Sequence, residues 1–124
     1  MLKEISTPFR QNEKEFRRWF TCELFDLYLW QLPSSPMHKF QICYKGRANP
    51  NPAQIYEDVL TWEEGIGFKF QRVNIEDRLS TPLVQDVGPF DISEIRYEFG
   101  HGRQAIVDAA LDDIEAKLSA LDKI

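Results

Sequence analysis

Cysteine is scarce in this chain: Cys22 and Cys43 are the only two in 124 residues. A disulfide-built secreted domain of this length would carry more. Histidine is equally scarce, with His38 and His101 alone, and no Cys pair stands at ligand spacing. A structural zinc is therefore not expected, and no cofactor is implied. No apolar run approaches the roughly 20 residues of a membrane span. Lys3, Glu4 and Arg10 interrupt the start of the chain, so no secretory apolar region follows Met1. The expected address is the cytoplasm, with both thiols reduced. Basic residues are outnumbered, 15 to 20, giving a net charge of −5. This argues against a surface that coats nucleic acid. The local clusters Lys14, Arg17, Arg18 and Lys39, Lys45, Arg47 read as solvated charges on strand edges. There is no GxSxG, no Ser-His-Asp signature and no Walker-type loop, so no motif names a reaction.

What the chain has is aromatic residues. Nine Phe, four Tyr and three Trp occur in a length that fits one domain, and most of them must enter its core. Phe25-Asp26-Leu27-Tyr28-Leu29-Trp30-Gln31 and Lys39-Phe40-Gln41-Ile42-Cys43-Tyr44 both alternate, and Pro33 to Pro36 separates them. This predicts a pair of antiparallel strands. On the first, Phe25, Leu27 and Leu29 share the apolar face, and Asp26, Tyr28 and Trp30 the other. Further strands are predicted near Arg17 to Cys22, Asp58 to Trp62 and Phe68 to Val73, the last two joined at Gly65 and Gly67. Residues 1–12 suggest a frayed arm or a short edge strand, and Thr81 to Val84 a short strand that Pro82 confines to an edge or a strand start. Lys45 to Pro52 is a loop rich in Pro and Asn.

Two helices close the chain. Asp91 is placed to cap the first, with Glu94 three residues on and Phe90 and Ile95 at the staple positions. Gly100 is expected to end it. The second is predicted from Gln104 to about Leu121, with Val107, Leu111, Ile114, Leu118 and Leu121 as its apolar stripe. The expected fold is α+β: an antiparallel meander of four to five strands with both helices packed on it.

The set Arg18-Trp19-Phe20, Phe25-Asp26-Leu27-Tyr28-Leu29-Trp30, Phe40-Gln41-Ile42-Cys43-Tyr44, Leu60-Thr61-Trp62, Thr81-Pro82 and Phe90-Asp91 resembles a small uncharacterised bacterial protein family. Its members show an RRWF-like start, then DLxVW-, GFQLCY- and LTW-like strands in this order. The resemblance covers about Arg17 to Phe99. This chain departs from it at Lys39, where Gly is usual, and in a longer insert around Asn49 to Gln54. The likeness implies a bacterial origin and a shared fold, and brings no activity with it.

Two candidate sites follow from the residues. Trp19, Tyr28, Trp30 and Trp62, interleaved with Arg18, would form an aromatic sheet surface for a protein or small-molecule ligand if they share one face. A terminal helix lying over them would bury that surface instead. Gly100-His101-Gly102-Arg103, read as a turn between two helices, would offer backbone amides and the Arg103 guanidinium to a small anion, or His101 to acid–base chemistry. The same four residues also suit a plain helix-to-helix turn. Asp26, within a strand, needs a partner if buried, and Arg17 or Arg18 is the nearest. Cys22 and Cys43 read as buried, inert thiols. The leading expectation is a non-enzymatic binding domain, with the His101/Arg103 anion binder or enzyme as its alternative. A homodimer, through a sheet edge or the aromatic face, is a third option that the sequence does not rank.

Overall fold

Alternating apolar residues make strands that can bury one face only, and the described residues of this chain form seven strands joined in sequence. The computed structural model describes residues 2–5, 16–32, 35–44, 56–74 and 83–121. Its strands are β1 (Lys3–Ile5), β2 (Phe16–Thr21), β3 (Phe25–Leu32), β4 (Ser35–Tyr44), β5 (Tyr56–Glu63), β6 (Gly67–Asn74) and β7 (Leu83–Asp86). All neighbours are antiparallel, and spatial order equals chain order, so the sheet is a simple meander.

The expected α+β class and antiparallel sheet are present, but the count is seven strands rather than four to five. The additional strands are the two edges, β1 with three residues and β7 with four, which the sequence offers only as optional short strands. Segments that short show no periodicity, and they are held by a neighbour rather than by their own pattern. The Lys45 to Pro52 loop, the Asn49 to Gln54 insert and Thr81-Pro82 lie outside the described residues.

The β3–β4 pair carries an irregularity near its turn. Asp26 faces Cys43 and Leu27 faces Ile42, because β4 begins at Ser35, inside the expected Pro33 to Pro36 turn, and a register shift falls between Trp30 and Leu32. The β5–β6 hairpin closes as expected, with Gly65 and Gly67 at φ of +83° and +97°, where residues bearing a Cβ are strained.

Helix α1 spans Ser93–Gly102 and α2 spans Ala109–Leu121. The Asp91 carboxylate accepts the Ser93 N–H at 2.9 Å, while Ile92 takes the N-cap backbone position. Glu94 turns instead to the Tyr44 hydroxyl, which donates to it. Gly100 does not end α1, which continues to Gly102 with Arg103 as its C-cap. Gly102 is needed for a close approach: a Cβ there would lie 2.9 Å from the Leu2 backbone nitrogen. That same nitrogen donates to the Gly102 carbonyl at 3.3 Å. Helix α2 starts at Ala109, five residues later than expected, because Asp108 caps it and accepts the Ala110 N–H at 2.9 Å and the Leu111 N–H at 3.3 Å. Val107 is consequently no part of the stripe and is fully exposed.

Both helices lie on one face of the sheet. Ile95 and Phe99 of α1 and Leu111, Ile114 and Leu118 of α2 pack with Phe20, Phe25, Leu27, Leu29, Phe40, Ile42 and Leu60 in one buried cluster. Phe99 stacks on Phe25 with ring centres 6.4 Å apart. Packing these helices on β2 to β6 buries apolar surface, the dominant favourable contribution to folding.

Candidate functional site

The pleat sends every second residue to the face away from the helices. Register then arranges those residues in rows across the strands. One row is Ile5, Trp19, Tyr28, Gln41, Thr61 and Lys69. The next is Arg17, Trp30, Lys39 and Glu63. On the other side runs Lys3, Thr21, Asp26, Cys43, Val59, Gln71 and Asp86. Among the described residues, no helix packs on this face.

Three large aromatic residues meet there. Trp19 and Tyr28, cross-strand partners, stack with ring centres 5.9 Å apart and an 18° angle between planes. The Arg17 guanidinium sits 5.4 Å from the centre of the Tyr28 ring, and the Lys39 ammonium 4.9 Å from that of Trp30. Each cation covers a ring face, an attraction of about 0.5–1 kcal/mol at partly exposed sites. Tyr28, Trp30 and Trp19 are half-buried among these neighbours. Burial raises the Tyr28 phenol above its ordinary value, and the Asp26 charge adds to the effect. The Trp19 indole N–H is buried and has no acceptor among the described residues.

Trp62 does not belong to this surface, contrary to the sequence expectation. It pairs with Phe40 and therefore faces the helices, where it stacks on Phe40 at 5.9 Å and carries the Lys117 ammonium 4.4 Å from its ring centre. Its parity relative to β3 depends on the register of two hairpins, which alternation within one strand cannot fix. Arg18 is likewise on the helix side, bound to Glu4 and Asp108, and so is not the partner of Asp26. Asp26 accepts instead from the Thr21 hydroxyl at 2.6 Å.

The Gly100 to Arg103 segment is not an anion cradle. Gly100, His101 and Gly102 lie inside the last turn of α1, the negative end of its dipole, and not before a helix N-terminus. Arg103 is buried and already engaged, with Asp112 at 2.5 Å, Glu115 at 3.3 Å and the Ile106 carbonyl at 3.1 Å. The N-terminus of α2 is occupied by the Asp108 carboxylate. His101 is exposed and stacks on Tyr97, ring centres 5.7 Å apart. His38 lies within β4 rather than in the turn before it, and its carbonyl accepts the Glu64 N–H at 2.8 Å. No cluster of three or more His, Cys, Asp or Glu side chains that could hold a metal occurs among the described residues.

Neither cysteine is in a disulfide, and β3 separates them, with Cys22 just past β2 and Cys43 in β4. Burial pushes the Cys43 thiol up to about 12, reinforced by Glu57 and Asp26. A thiol held protonated is a poor nucleophile. Cys43 is therefore expected to resist a disulfide-exchange reagent at pH 8 in the native protein and to react once urea unfolds it. Labelling followed by peptide mass mapping reads this directly, and rapid native labelling would contradict the burial.

A second concavity escaped the sequence reading. A largely apolar groove of about 530 Å³ lies between the β6 residues Phe68 and Phe70, the approach to α1 at Phe90 and Ile92, and Leu121 of α2. Phe70 and Phe90 meet edge to face there, ring centres 4.9 Å apart. The only signal for it was Phe90 at the staple position.

No family model, curated protein or solved structure matches this chain. The architecture is what defines its class: an open, seven-stranded antiparallel meander backed by two C-terminal helices. No described helix is long and apolar enough to cross a membrane.

Proposed function

We propose that the protein is a non-enzymatic binding domain whose contact surface is the sheet face opposite its helices. The observation that carries this reading is the Trp19–Tyr28 stack with Trp30, Arg17 and Lys39 around it, on a face that no described helix covers. Rigid aromatic side chains lose little conformational freedom on contact, and with Arg they dominate binding energy in known interfaces. The cations already resting on the rings fix their orientation, so the surface is pre-organised for a planar or apolar group carrying an acceptor. The nearest thiol, Cys43, is held protonated, which favours contact over chemistry. A cytoplasmic setting and membership of the resembled bacterial family belong to the same reading, supported by the acidic charge balance and by two cysteines that are not in a disulfide.

A thermal-shift screen against nucleotides, phosphorylated metabolites and aromatic ligands tests it, run in parallel on Trp30→Ala and His101→Ala. A native-state ligand at 100 times its Kd adds about 2.7 kcal/mol of stability. The expected result is a shift abolished by Trp30→Ala and kept by His101→Ala. The reverse pattern would overturn the assignment of this face.

A further inference from the structure

The charges on the open face are sorted by end. Toward one end of the strands stand Arg17, Lys39 and Lys69 with one carboxylate, Glu63. Toward the other stand Asp26, Glu57 and Asp86 with one cation, Lys3. The aromatic residues occupy the cationic half, while Val73 and the exposed Val84 share the acidic half with Val59, which is already buried. The face is thus polarised along the strands. A polarised face is complementary to a second copy of itself turned end for end, which a twofold axis in the contact plane, running across the strands, produces.

We infer that the open face is the contact surface for a second copy of this chain, packed sheet to sheet about such an axis. This names the partner of the binding face proposed above and rests on that reading. Position along the twofold axis is unchanged by the rotation, so each strand lies over or beside its own counterpart. Lys39 of β4 and Glu57 of the adjacent β5 stand at opposite ends of the face. The twofold operation therefore brings Lys39 of each copy near Glu57 of the other, twice per dimer. The cationic end of each copy is laid on the acidic end of its partner, and Lys69 of β6 comes near Asp86 of the facing β7. Two sheets stacked in this way lie about 10 Å apart, room for one layer of interdigitated side chains.

The area is sufficient but small. Seven strands about 4.8 Å apart and four rows of side chains cover on the order of 600 Å² per copy. The pair would bury roughly 1,200 Å², the lower limit of a specific interface. Such a dimer is weak and depends on concentration, and its charged ends make it weaken in salt.

Sedimentation velocity on the full chain tests the inference. The wild type is expected to be dimeric at roughly 100 µM and monomeric near roughly 1 µM, as for a weak dimer with a Kd between them. Lys39→Glu and Glu57→Lys are each expected to weaken dimerisation by roughly tenfold or more, since each sets like charges against one another twice. An equimolar mixture of the two is expected to dimerise again, because each variant then meets its complement at both ends. Melting curves confirm that the variants are folded, and Lys69→Glu with Asp86→Lys, the next pair that the twofold brings together, replaces them if either unfolds. A wild type that stays monomeric at the upper concentration overturns the second copy as partner, while the ligand screen judges the binding face separately. A dimer unchanged by both Lys39→Glu and Glu57→Lys also overturns the inference.

Discussion

Phe40→Ala is expected to destabilise the protein by about 3–5 kcal/mol, the range for removing a fully buried aromatic ring. Trp30→Ala, a larger truncation, should cost no more than about 1.5 kcal/mol because its ring is only half-buried on the open face. Phe40 is completely buried at the centre of the sheet. It stacks on Trp62 at 5.9 Å and meets Phe68 edge to face at 6.1 Å, so its loss removes a ring contact from both and leaves a cavity between them. Urea denaturation curves compare the two variants. A loss for Trp30→Ala equal to that for Phe40→Ala would mean that something covers the outer face, and the two-faced description would fail.

Arg18→Met should cost about 1–3 kcal/mol, with an acid dependence that identifies the cause. Arg18 donates to Glu4 at 2.8 Å and 3.1 Å, to Asp108 at 2.7 Å and to Gln31 at 3.4 Å. It thereby ties β1, β2, β3 and the start of α2 together. Met keeps much of the stem packing and removes only the guanidinium. The Glu4 carboxylate is 44% exposed, so that arm of the contact is screened and contributes little. The Asp108 arm matters more, since its side chain is only 18% exposed. Burial alone would raise the Asp108 carboxyl, but the Arg18 contact and the Leu111 and Ala110 amides outweigh it and hold the group below its usual range.

The sign of the pH dependence follows. A depressed carboxyl pKa means that the unfolded chain binds the proton more readily than the folded one. The resulting stability is complete above the unfolded value of about 4 and disappears as pH falls through the lower folded value. In Arg18→Met the main cationic partner is gone, so less of this stability exists to lose. The gap between wild type and variant should therefore be widest near neutral pH and narrow below about pH 4. Urea midpoints between pH 7 and pH 3 measure it, and a gap independent of pH would assign the effect to packing instead.

Much of the architecture is a local property and could be read residue by residue. Alternation in 25–31 and 39–44, the glycines of the β5–β6 turn and the Leu111, Ile114, Leu118 stripe each depend on neighbours within a few positions. Strand, turn and helix existence followed from them. Asp108 as a helix cap was legible in kind, since Asp before an apolar stripe is such a signal, but the stripe was extended through Val107 and hid it. The Trp19, Tyr28 and Trp30 part of the candidate face was also legible, because β2 and β3 are joined by a short turn and their relative parity carries little ambiguity.

What remained needed contacts between distant segments. The edge strands β1 and β7 exist because a neighbouring strand supplies their hydrogen bonds, not because three or four residues show a pattern. Trp62 went to the helix face because register accumulates over successive hairpins, and a slip of one residue exchanges the faces. Arg103 became a structural ion-pair centre only when the chain reversal after α1 brought Asp112 and Glu115 beside it. The sequence by itself determined that this protein is an aromatic, antiparallel sheet with helices on it. Tertiary structure alone decided which face those helices cover and which aromatic residues are left outside, because side-chain parity is set by long-range pairing and not by local composition.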